Sequence, residues 1–143
     1  MSFFQIIQQY SEPMLHGLWV TLKLALIIWC SGILLGSILG AVGASLRAAV
    51  GIPSKIISVI LAGMPAIVFL FWMHYPFQAL LGIVIDPFIT AALSLSIINV
   101  FLVADLVRNA ITDFPPQYLD AATACGSRAR AITLRSQLPI LLR

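Results

Sequence analysis

Three long apolar runs, at about residues 18–46, 56–75 and 88–110, constrain what this chain can fold into. One crossing of a bilayer takes about 20 apolar residues of helix, so each run suffices for one span. The runs are continuous rather than alternating with period two, which favours helices over a sandwich or a barrel. Hydrophobic residues make up 61% of the 143 positions and charged residues 9%, leaving too little polar surface to keep a soluble domain dispersed. The sequence therefore predicts an all-α, polytopic membrane fold with three spans in a single domain, residues 1–143.

The position of the charges carries more information than their net value of +3. Arg108, Arg128, Arg130, Arg135 and Arg143 lie at or beyond the end of the last run, and Arg47 and Lys55 flank the first connection. The N-terminal residues and the segment 74–87 carry no Lys or Arg. By the positive-inside rule the N-terminus and the second connection face outward, and the first connection and the tail face the cytoplasm. Lys23 falls inside a run near its outer end, where its stem can snorkel to the interface. A membrane-lipid environment follows, and no nucleic-acid partner is implied. Met1 to Pro13 lacks a basic n-region, so the first run is expected to persist as a true span rather than a cleaved signal. Cys30 and Cys125 belong to opposite parts of this reading, which argues against a disulfide, and no metal-ligand spacing is present.

Residues 1–15 read as a short outer segment with an interfacial face of Phe3, Phe4, Ile6, Ile7 and Tyr10. The first run is long for a bilayer, which calls for tilt or an extension on the inner side. Gly32, Gly36 and Gly40 recur every fourth residue along it, with Ser37, Gly43 and Ala44 beside them. Such a stripe lets a neighbouring backbone come close where lipid gives no hydrophobic drive for association. Helix packing is the plain reading of the stripe, and a substrate path along it the alternative.

The second run is interrupted by Gly63-Met64-Pro65, where proline removes a backbone donor and bends the rod. Asp86-Pro87 reads as a helix start, with a carboxylate cap followed by a first-turn proline. His74 and Asp86 lack the nucleophile or ligand set that a catalytic pair needs, so His74 reads as an interface anchor. The third run is the most polar of the three. Asn99 lies near mid-depth, where an amide must face a partner helix or a water-filled path. Asp105 and Arg108, three apart, share a face near the inner end and can pair. With Asn99 they are the candidates for a translocation path or gate, the plainer reading being an ion pair that closes that end.

Pro115-Pro116 must stop the third helix. Beyond it, Gln117–Cys125 is rich in Ala, with Gly126 placed as its terminator, and Ser127–Gln137 precedes Leu138-Pro139. Residues 113–139 therefore read as a cytoplasmic short-helix loop. Asp120-Ala121-Ala122, then Gly126, then Leu138-Pro139 resembles the EAA loop of permease subunits in binding-protein-dependent ABC importers. Asp120 stands for the usual Glu, Ala121 and Ala122 for the paired Ala, Gly126 for the Gly, and Leu138 and Pro139 for the closing pair. Ser136 departs from the Ile usual there. Ala104-Asp105-Leu106-Val107-Arg108-Asn109-Ala110-Ile111 looks like the Ala-Glu-x-x-Arg-Gly-x-Ile stretch ahead of that loop, and Thr21 to Arg47 is similar to the opening helix of the polar amino acid branch.

The resemblance implies a multi-pass inner-membrane permease component for polar amino acids. Its loop would engage an ATPase subunit, with a second permease subunit, as homo- or heterodimer, and a solute-binding protein outside the membrane as further partners. It also implies further membrane helices after the loop, so the chain reads as a partial permease domain, C-terminally short of the family. No Gly-x-x-x-x-Gly-Lys-Ser/Thr loop is present to cradle phosphates, so ATP would be handled by the partner, and neither enzymatic chemistry nor a cofactor is expected of this chain. The alternatives are a permease for another small solute, or a non-transporting scaffold or fragment sharing the helix-loop shape.

Overall fold

The computed structural model describes residues 3–113, and these are all-helical. Helix α1 (Phe3–Ser31) passes through a π-helical turn (Gly32–Gly36) into α2 (Ser37–Ser45). A second π-helical turn (Arg47–Gly51) leads into α3 (Ile52–Gly63), followed by α4 (Ala66–His74), the short α5 (Pro76–Leu81) and α6 (Pro87–Thr112). From Ser11 to Ser45 the first helix is one unbroken rod of 35 residues, about 52 Å at 1.5 Å per residue. Among the described residues the expected outer segment is continuous with this rod, because α1 begins at Phe3 and Pro13 lies inside it rather than ending it.

Two helices, Ser11–Ser45 and Pro87–Thr112, are long and apolar enough to cross a membrane. The pair Arg47–Gly63 and Ala66–Leu81 makes up to a third, bent by 101° at its break. The bend is sharper than a kinked span because two consecutive residues leave the helical region. Met64 is extended (φ −102°, ψ 132°) and Pro65 follows at ψ 128°, as steric exclusion before a proline dictates. After α5, Gly82 takes a left-handed φ of 65° and closes that helix, and Ile83 N–H donates to the Gln78 carbonyl. That turn needs a glycine.

The glycine stripe sets the packing. A Cβ on Gly32 would fall on the Asn99 amide, one on Gly36 would lie 2.8 Å from Val103 Cβ, and one on Gly40 2.7 Å from the Ala104 carbonyl oxygen and 2.8 Å from Val107 Cβ. The ridge Asn99, Val103, Val107, itself spaced by four, sits in the groove left by the missing side chains. Residue numbers rise together on both sides, so α1–α2 and α6 run parallel. Extending the register places Pro87 level with about Val20, and Ser45 level with Thr112.

A parallel pair obliges the chain between them to return from the Ser45 end to the Pro87 end. Contacts at both ends agree. Gly51 and Ser54 meet Arg108, and Gln78 meets Thr90. The bundle is also inside-out relative to a soluble protein. Among the described residues the buried apolar side chains are Leu61, Ala92 and Ala104, and the buried polar ones include Ser54, Ser58, Gln78, Thr90, Ser94 and Arg108. The large apolar groups, Leu26, Trp29, Leu34 and Ile38 among them, face outward. Small and polar groups inside with bulky apolar groups outside is an arrangement compatible with a membrane protein.

Candidate functional site

Arg108 ties three segments of the bundle together. Its Nη1 donates to the Gly51 carbonyl at 3.2 Å and to Ser54 Oγ at 3.0 Å, and its Nη2 donates to the Asp105 carboxylate. Asn109 Nδ2 donates to the other carboxylate oxygen at 3.2 Å, and Ser54 Oγ donates to the Gly51 carbonyl at 3.1 Å. The Arg108 side chain is 8% exposed and that of Asp105 28%. A guanidinium at that burial is tolerable only when its charge is paired and its donors are used. The planar fork reaches in two directions at once, tying α6 to the Arg47–Gly51 turn and to the first turn of α3. Gly43 and Gly51 permit this approach, since a Cβ on Gly51 would lie 2.5 Å from the Gly43 carbonyl oxygen.

Asn99, the next polar group up α6, donates from Nδ2 to the Ile28 carbonyl at 2.8 Å. Ser31 Oγ donates to that same carbonyl at 3.0 Å. The π-helical turn begins just beyond, where an inserted polar group loosens the i→i−4 ladder. Asn99 thus faces a partner helix, and the glycine stripe is filled by α6 rather than left open as a channel. The open groove between α1 and α6 is a different one. It measures about 490 Å³ and is lined by apolar groups such as Ile27, Leu35, Phe88, Leu93 and Phe101, with Ser31 and Ser96 as its polar members. Ser96 Oγ is buried there without a hydrogen-bond partner. Such a lining suits acyl chains better than a polar solute.

A second polar cluster occupies the other end. Gln78, 6% exposed, donates from Nε2 to Thr90 Oγ1 at 3.0 Å, lies 3.3 Å from His74 Nδ1, and accepts at Oε1 from Ile85 N–H at 2.8 Å. Thr90 Oγ1 donates to the Asp86 carbonyl, and Asp86 caps α6 by accepting from Phe88 N–H at 2.8 Å. Thr90 and Arg108 are separated by about 27 Å along the α6 axis at 1.5 Å per residue, close to the thickness of a hydrocarbon core.

The structure therefore brings Asp105 and Arg108 together, sets Asn99 against α1, and packs Gly32, Gly36 and Gly40 on α6. Asp120, Ala121, Ala122, Gly126, Leu138 and Pro139 lie outside the described residues. Gln78, Thr90 and Ser54 were not singled out as site residues by the sequence. Gln78 did carry a signal, as a lone amide among Phe77, Ala79, Leu80 and Leu81, four residues after His74. Among the described residues no group of three or more His, Cys, Asp or Glu could hold a metal ion. No family model matches the chain, and neither a curated protein nor a solved structure matches it.

Proposed function

We propose that the chain is a transmembrane permease component of an ATP-driven ABC importer, with polar amino acids as its cargo. The observation that carries this reading is the Arg108 cluster. It ties the end of α6, which leads into the EAA-like segment, to the Gly51–Ser54 segment of the helix pair beside it. A push delivered by an ATPase to Asp120–Pro139 would then move α3 and α6 as a unit and tilt the bundle between outward-open and inward-open states. Energy would come from the partner, and the chain itself would carry out no covalent chemistry.

Charge supports one orientation for three crossings. Arg47, Lys55 and Arg108 belong to one end of the bundle and Lys23, stacked on the Trp19 ring at 5.2 Å, to the other. The Arg108 end is cytoplasmic on the positive-inside rule. In a background lacking Cys30 and Cys125, an impermeant thiol reagent applied outside cells should label Ser11→Cys and leave Ser127→Cys unlabelled. The reverse pattern would invert the topology.

The function itself is tested by cross-linking. Ala121→Cys, treated with a short bifunctional reagent in native membranes, should capture a protein with a phosphate-binding Gly-x-x-x-x-Gly-Lys-Ser/Thr loop. Capture only of proteins without such a loop would favour a scaffold.

A further inference from the structure

We propose that the open groove between α1 and α6 holds one acyl chain of an anionic phospholipid, with the phosphate of its headgroup on Lys23 at the groove's mouth. Such a site goes beyond the transport reading and stands without it.

The groove has the dimensions of a single hydrocarbon chain. Its lining on α6 runs from Phe88 to Phe101, about 20 Å at 1.5 Å per residue. That length is nearer the depth of one leaflet, about 15 Å, than the whole core of about 30 Å. Spread over it, a volume of about 490 Å³ leaves a cross-section of about 25 Å². A helix about 10 Å across fills about 80 Å², so a membrane helix of another subunit is too thick to enter and an acyl chain is not. Ile27 and Leu35 form one wall, Phe88, Leu93 and Phe101 the other, and no polar atom faces into the space. The Ser31 hydroxyl is turned to the Ile28 carbonyl and Ser96 Oγ is buried. Left empty, the cleft would forfeit the dispersion contacts of both walls.

The mouth carries a cation. Lys23 precedes Ile27 by four residues, so Lys23, Ile27 and Ser31 follow one another along the i, i+4 row of α1 that enters the groove. The register of the helix pair sets Lys23 level with Thr90, which with Arg108 marks off about 27 Å of α6. The ammonium, 5.2 Å from the centre of the Trp19 ring, reaches back one turn further, out of the hydrocarbon and to headgroup level. Both side chains are exposed there. Among the described residues no carboxylate lies within ion-pair distance of Lys23. Asp105 is taken by Arg108, Asp86 caps α6, and Glu12 lies eleven positions away, about 16 Å along α1. A lipid phosphate at the mouth supplies the missing counter-charge. An anionic headgroup fits better than a zwitterionic one, whose own cation competes with Lys23 for the phosphate.

Native mass spectrometry of the full chain released from mild detergent tests the site, with phosphatidylglycerol and phosphatidylcholine of matched chains as probes. The parent should retain one phosphatidylglycerol per chain, in preference to phosphatidylcholine. Lys23→Gln should hold it about fivefold more weakly, the weight of one cation at an anionic surface, and Lys23→Arg should hold it as the parent does. Leu93→Trp, which fills the groove from an exposed lining position, should release the lipid although Lys23 is intact. Leu26→Trp, exposed outside the groove, should not. All four changes fall at exposed positions, so each variant should keep the parent's helical circular dichroism. Equal retention of the two lipids, or retention unchanged by Lys23→Gln or by Leu93→Trp, would overturn the site. A lipid-free dimer in which a second copy covers the groove would overturn it as well.

Discussion

Arg108→Ala is expected to destabilise the bundle by about 3 kcal/mol, the lower end of the cost of breaking a buried ion pair. The lower end applies because Asp105 keeps 28% of its side-chain surface and water takes over part of its solvation. The loss has two sources. Asp105 is left without its cation, and the Gly51 carbonyl and Ser54 hydroxyl each lose a charged donor. Arg108→Lys should fall between the two, since a single ammonium cannot reach Asp105 and Gly51 together. The double replacement Arg108→Met with Asp105→Leu should recover most of the loss, because an apolar pair of similar volume removes the charges along with their desolvation cost. Reversible unfolding in mixed micelles, read by helical circular dichroism, gives all four values. An Arg108→Ala variant within about 0.5 kcal/mol of the parent would put this position in the class of an exposed pair.

What the sequence made legible was local. The three runs follow from hydropathy, the Asp86 cap from a carboxylate ahead of a proline, and the Asp105–Arg108 pairing from a spacing of three on a helix. The break at Met64-Pro65 was legible too, but not its 101° angle. That angle depends on where α4 finds a surface to pack on, and nothing within a few residues of Pro65 encodes it. The glycine stripe announced a close approach without naming what approaches. Its partner, Asn99-Val103-Val107, lies more than sixty positions away, and the parallel direction of the pair emerges only once both helices are set side by side. Gln78 carried a nearer signal, since His74, Ile85 and Thr90 all lie within twelve positions of it, but that the three converge on one amide depends on how the turn after α5 folds back against α6. The continuity of α1 through Pro13 also went against local expectation. One lost backbone bond is tolerable in a helix of 29 residues.

Gly36→Leu should be the most damaging single change on the first helix, and Leu35→Ala next to it among the mildest. A Cβ at position 36 would lie 2.8 Å from Val103 Cβ and 2.9 Å from the Val100 carbonyl oxygen. Backbone cannot yield there as a flexible side-chain tip would. The two helices must therefore part along the whole ridge from Asn99 to Val107, which also stretches the Asn99–Ile28 hydrogen bond. Inserting extra carbons into a filled interface costs about 1–3 kcal/mol, and a full isobutyl group against backbone belongs at or above the top of that range. Leu35 is 57% exposed, so trimming it removes surface that faces lipid, where no hydrophobic drive is lost. Gly36→Ala separates contact from bulk, because even one methyl group meets both Val100 and Val103. It should cost a smaller but measurable part of the effect. The comparison is the folded fraction recovered in mild detergent, together with cross-linking of Ser31→Cys to Ser96→Cys, both of which line the groove between α1 and α6. Equal recovery of Gly36→Leu and Leu35→Ala would mean that the stripe faces lipid, and the parallel packing of α1–α2 on α6 would fall with it.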